Sequence, residues 1–175
     1  MTREELEHII RASAQITNQY EFVILGSQSI LGSIPDPEAA FTVSMEADIY
    51  PLAAPELADL IEGAIGEGSQ FHDHFGYYAQ AVGPETAVLP QDWMSRVHRI
   101  QNPNTDGRVG YCLDVLDLFL AKAAAGREKD RVFCTALLAH CYVNAPAALA
   151  LVDLMPLDAS QQRTLRSRIR RWAIG

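Results

Sequence analysis

Residues 21–50 read EFVILGSQSILGSIPDPEAAFTVSMEADIY. The apolar run Phe22-Val23-Ile24-Leu25 is strand-like and ends abruptly at Gly26-Ser27. A short helix is predicted from Gln28 to Gly32, and Pro35 and Pro37 make 33–40 a loop. A second strand is predicted over about Thr42–Tyr50, stopped by Pro51. It carries Glu46 and Asp48 at alternate positions. Alternate residues on a strand share a face, so the two carboxylates stand about 6–7 Å apart on one side. Two hard oxygen ligands suit Mg²⁺, which takes one or two carboxylates and leaves its other positions to water and phosphate oxygens. A helix start such as Gly26-Ser27 offers unpaired N–H groups to an anion, and a glycine lets the backbone approach a phosphate closely.

The chain has 175 residues, of which 49% are hydrophobic, enough for one globular domain with or without a helical extension. No apolar run is long enough to span a bilayer. The start is acidic, with Glu4, Glu5 and Glu7, and shows no basic-then-apolar leader, which points to the cytoplasm. Cys112, Cys134 and Cys141 are odd in number and lack metal-type spacing, as expected of reduced thiols in a core. A net charge of −8 argues against broad, nonspecific nucleic-acid binding. The charge is uneven, however. Arg163, Arg166, Arg168, Arg170 and Arg171 crowd the last helix, either as a solvated face or as a local contact for RNA or an acidic partner.

Around the central stretch the elements follow in order. Thr2-x-x-Glu5 is a capping box that opens an amphipathic helix over about 3–18. A helix is predicted near 55–64, and strands over Tyr77–Val82, Arg96–Gln101 and Arg108–Leu113. From Asp114 the chain turns helical. Helices are expected to Ala125, over 128–142 with Val132, Leu137 and Leu138 inward, from Pro146 to 154, and from Asp158 to 173. The expected architecture is α/β (α+β): a small mixed sheet with flanking helices over 1–113, and a C-terminal helical region over 114–175 packed on it.

Strand, Gly-Ser, helix, then a strand bearing acid-x-acid resembles the nucleotidyltransferase fold superfamily. A second segment, LDVLDLFLAKAAAGREKDRVF over 113–133, resembles the branch of uncharacterised bacterial nucleotidyltransferases related to abortive-infection toxins. There a strand leads into a helix carrying a lysine, and a Lys-Asp or Arg-Asp pair opens the next helix. Lys122, Arg127, Lys129 and Asp130 occupy those places. Leu89-Pro90-x-x-Trp93-x-x-Arg96 is also similar to the uncharacterised subgroup. The resemblance implies a metal-dependent transfer of NMP from an NTP to a hydroxyl of an RNA, a protein or a small molecule, in a toxin–antitoxin or defence setting. It implies Mg²⁺ or Mn²⁺ on Glu46 and Asp48, Gly26 and Ser27 at the outer phosphates, Lys122 and Asp130 in the catalytic set, and Arg127 and Lys129 toward the triphosphate. The alternative within the same fold is a non-catalytic nucleotide sensor or antitoxin-type partner.

The chain departs from the family pattern at three points. Glu46 stands where Asp is commoner. Gly76-Tyr77-Tyr78-Ala79-Gln80 offers no third carboxylate, with Asp73 and Glu85 only flanking it. Ile30 stands where toxin-like members prefer a basic residue. Away from this pattern, His72-Asp73-His74 gives alternate histidines that suit a transition metal on a strand and a polar rim in a loop. Cys134, His140 and Cys141 are expected on one helix, the two thiols seven apart and inward.

Overall fold

The computed structural model describes residues 1–174. The chain divides into two units. One joins Met1–Thr86 to Val97–Leu113; the other joins Ala87–Arg96 to the chain from Asp114 onward.

The first unit is built on a sheet. Helix α1 (Arg3–Thr17) opens with the Thr2–Glu5 capping box: the Thr2 hydroxyl accepts from Glu5 N–H, and the Glu5 carboxylate accepts from Thr2 N–H at 2.7 Å. Its buried stripe is Leu6, Ile9, Ile10 and Ala14. Strand β1 (Glu21–Ile24) and the short helix α2 (Ile30–Ser33) flank Gly26, with a single 3₁₀ turn, Ser27–Ser29, between them. Strand β2 (Glu46–Pro51) is followed by helices α3 (Ala58–Ile65) and α4 (Gln70–Phe75), then strands β3 (Tyr78–Ala81), β4 (His98–Ile100) and β5 (Val109–Cys112). The strand order is β3-β2-β1-β5-β4. β1 runs antiparallel to β2 and parallel to β5; β3 is parallel to β2, and β4 antiparallel to β5. Phe22, Val23, Ile24, Ala47 and Ile49 are fully buried.

Two expectations for this unit are corrected. β2 begins at Glu46, four residues later than the alternation from Thr42 suggests. The register with β3 begins at Glu46 opposite Tyr78, whose N–H donates to Met45 C=O at 3.0 Å, and no register partner lies before Glu46, where Val43 and Met45 are exposed. His72, Asp73 and His74 lie in α4, neither on a strand nor in a loop. Ser69 caps that helix, accepting from His72 N–H at 3.1 Å, and Gly76 ends it with φ of 79°. Positions i and i+2 of a helix do not share a face, so the two histidines make no ligand pair.

The second unit is helical. Helix α5 (Val115–Ala125) is capped by Asp114 and ended by Gly126, which holds φ of 66°. Helix α6 (Glu128–Ala139) buries Asp130, Cys134 and Leu137, a 4-then-3 stripe that puts Val132 on the opposite side, 58% exposed. Val132 is therefore outward, contrary to expectation. The helix also stops before Cys141, which is exposed and holds φ of 58°. The two thiols thus share no helix face; Cys134 alone is core. Helices α7 (Ala145–Leu151) and α8 (Ala159–Ala173) complete the unit, the latter capped by Asp158 with Gln161. Ala87–Arg96 belongs here because Gln91 N–H donates to Leu154 C=O and Arg96 pairs with Asp117. No helix among the described residues is long and apolar enough to cross a membrane.

Candidate functional site

In the sheet unit, Gly26 follows directly from the buried end of β1. Its backbone holds φ 62°, ψ −165°, a region open essentially to glycine alone. The neighbouring Leu25 N–H donates to Asp48 C=O at 2.9 Å, which ties the turn to β2. A Cβ at position 26 would fall on Asp48 Oδ2, with Asp48 Cγ at 2.8 Å. The Asp48 carboxylate therefore occupies the space that a side chain at position 26 would need, packed directly against the turn. Ser29 donates from its hydroxyl to Gly26 C=O at 2.9 Å, holding the turn from the other side.

Glu46 and Asp48 are half-buried, whereas Ala47 and Ile49 are fully buried. The two carboxylates thus share the outer face of β2, as their spacing predicts. Parallel pairing sets Tyr78 opposite Glu46 and Gln80 opposite Asp48. The Tyr78 hydroxyl donates to Glu46 Oε2 at 3.3 Å. Burial, and then the charges of Glu46 and its acidic neighbours, push the Tyr78 phenol above its usual range. Among the described residues no group of three or more His, Cys, Asp and Glu side chains is arranged to hold a metal. A pair of hard carboxylates on one strand face, one of them against a glycine turn, fits a hard divalent cation that keeps water or phosphate on its remaining positions. It does not fit a soft or four-ligand protein site.

The helical unit gathers a second set. Asp130 is fully buried and caps α6. It accepts from Arg127 N–H at 3.2 Å and from Arg127 Nε at 2.7 Å, and it pairs with Lys122 Nζ at 3.7 Å. The Lys122 ammonium also lies 4.6 Å from the centre of the Phe133 ring. Lys122, Arg127 and Asp130 are therefore one charged cluster. Lys129 is exposed on α6 and no contact joins it to them.

Sequence reasoning missed the Arg96–Asp117 pair. Asp117 is fully buried and accepts from Arg96 Nε at 2.9 Å and Arg96 Nη2 at 2.7 Å. Asp117 lies inside α5, one turn past its cap Asp114. Burial pushes the Asp117 carboxyl up against the opposing pull of Arg96. The signal was present in part, since Arg96 closes the Leu89-Pro90-x-x-Trp93-x-x-Arg96 stretch. Burial pushes the Cys112 and Cys134 thiols each up to about 12, which makes these two poor nucleophiles.

A mixed sheet with a glycine turn set against an acid-x-acid strand is the arrangement of the nucleotidyltransferase class. A family model described as "nucleotidyltransferase of unknown function (DUF6036)" matches residues 4–151, and the chain belongs to that family. No curated protein and no solved structure matches it.

Proposed function

We propose that this protein transfers a nucleotidyl group from an NTP to an acceptor hydroxyl, with Glu46 and Asp48 holding Mg²⁺ or Mn²⁺. The supporting observation is the Asp48 carboxylate packed against the Gly26 turn, on the same face of β2 as the Glu46 carboxylate. The cation, when bound, supplies Lewis-acid charge at the phosphates. Gly26 and Ser27 present backbone to the outer phosphates, where a side chain would stand in the way. In the reaction the acceptor oxygen bonds to the α-phosphorus and the α–β bridge breaks. Pyrophosphate leaves, and the hydroxyl proton passes to solvent.

The resemblance gives Lys122 the task of offsetting charge on the departing pyrophosphate. The grip of Asp130 fits a lysine held in one position. Arg127 extends the same positive cluster, and Lys129 adds an exposed cation. The acceptor we propose is an RNA, a protein or a small molecule, and a toxin–antitoxin or defence pairing is proposed on the resemblance of 113–133 to the toxin-related branch alone. A cytoplasmic site is supported by three free cysteines.

A second reading, a nucleotide sensor or antitoxin-type partner without catalysis, is favoured by one observation. The residues facing Glu46 and Asp48 from β3 are Tyr78 and Gln80, neither a carboxylate. Incubation with α-labelled NTP, Mg²⁺ and total RNA separates the two. Label transferred to RNA or protein supports the enzyme, and NTP binding without transfer supports the sensor. Absence of any NTP binding overturns both.

A further inference from the structure

We propose that one face of α8 is a binding site for the phosphate backbone of RNA. Arg163, Thr164, Ser167, Arg168 and Arg171 line a groove of about 350 Å³. Their spacing of i, i+1, i+4, i+5 and i+8 sets them along one side of the helix. The groove spans ~12 Å at the usual helical rise.

The arginines on α8 are not alike. Arg166 is taken up by Asp153 at 2.6 Å and by Leu149 C=O. Arg168 donates from Nη1 to Ala123 C=O and Ala124 C=O, the last carbonyls of α5. Its guanidinium carries five N–H donors, so it is anchored in place with donors to spare. Arg163 and Arg171 are exposed and make no ion pair among the described residues. A helix dipole favours cations in the last turn, which accounts for Arg171 but not for Arg163, near the start. Arginines three and four apart repel one another. A groove that gathers them around two hydroxyls is complementary to an anion.

The charge of the unit points the same way. It carries ten Lys and Arg against seven Asp and Glu, whereas the sheet unit carries four against fifteen. The net −8 of the chain hides a positive unit. A membrane surface is not the partner the helix fits, because its apolar stripe of Leu165, Ile169 and Trp172 is buried and only Ile174, past its last turn, is exposed. Ser167 can donate to and accept from a ribose 2′-hydroxyl, the group that marks RNA, and Thr164, whose hydroxyl donates to Ser160 C=O at 3.0 Å, can accept from one.

The inference does not depend on nucleotidyl transfer, and its test uses neither NTP nor divalent ion. The full chain is titrated with a fluorescent single-stranded RNA over a range of KCl, in wild type, Arg163→Gln, Arg171→Gln and the double variant. Arg131→Gln, which removes an exposed charge from α6, is the control. The double variant is expected to bind at least ~10-fold more weakly, with the slope of log K against log salt reduced by about 1.4, since each neutralised single-strand phosphate contributes about 0.7. Melting temperatures near wild type confirm folding. Loss equal to that of Arg131→Gln overturns the proposal. So does DNA of the same sequence binding as tightly as RNA, or preference for an acidic peptide.

Discussion

Gly26 carries two demands at once, and they make its substitution more damaging than a phosphate contact alone would. Its backbone conformation costs a residue with a side chain ~1–3 kcal/mol, and the added Cβ falls on the Asp48 carboxylate. Gly26→Ala is therefore expected to lower stability by at least that range and to weaken NTP binding together with it. Chemical denaturation beside an affinity titration checks both, and a fully stable variant would show that the turn relaxes freely. Asp48 and Glu46 differ in reach. Asp48→Asn keeps the volume and removes the charge, so Mg²⁺-dependent NTP affinity is expected to vanish with melting near wild type. Glu46→Asp is expected to retain it, since a carboxylate remains. Affinity measured against Mg²⁺ for both variants decides, and wild-type behaviour in Asp48→Asn means the pair holds no metal. The shared face of these two was legible because period two is a property of any strand. The contact of Gly26 with Asp48 was not, because it depends on how β1 and β2 pair.

Among the elements, those with local signals were legible and those defined by distant partners were not. Thr2-x-x-Glu5, Asp114 and Asp158 cap helices that can be read from a few residues of sequence. The start of β2 could not be read, since its alternation continues back to Thr42 and only its register with the neighbouring strands ends it. The inward face of α6 was misjudged because Val132 is apolar whether buried or not. The buried Asp130, which fixes that face, is charged. Helix α1 shows a further polar anchor that sequence could not supply. Glu7 is buried on it and accepts from Asn102 at 2.8 Å, Asn104 at 3.0 Å and Arg3 at 2.9 Å. Burial alone would raise its carboxyl, but these donors outweigh burial and hold it below the usual 4.5. A carboxyl lowered in the folded state stabilises fully above its unfolded value, and that contribution is lost as pH falls through the folded one. Wild type is thus expected to lose stability as pH drops below 4.5 more steeply than Glu7→Gln. Urea unfolding at stepped pH measures the difference, and parallel curves would remove Glu7 from the acid limb.

At the scale of the molecule, nucleotide binding must register as stability. A ligand that binds only the folded chain at ~100-fold over its Kd adds ~2.7 kcal/mol, which for a chain of this size raises Tm by ~5–11 °C. Thermal scans with each NTP and Mg²⁺ test this, and a Tm unmoved by all four would count against the nucleotide site. Folding itself is shaped by the division of the chain, because each unit is assembled from two separate stretches. Strand β1 sits at the centre of the sheet order, flanked by β2 and β5. Its partner β2 follows closely, but β5 starts only at Val109. On a ribosome adding ~5–20 residues per second, the chain from Ile24 to Val109 takes about 4–17 s to make. For that interval one edge of the most apolar strand waits for its partner while the polypeptide is still being synthesised. Such an edge is a template for pairing with other chains. A chain truncated before Val109 is therefore expected to self-associate more readily than the full chain, and light scattering of the two at equal concentration checks it.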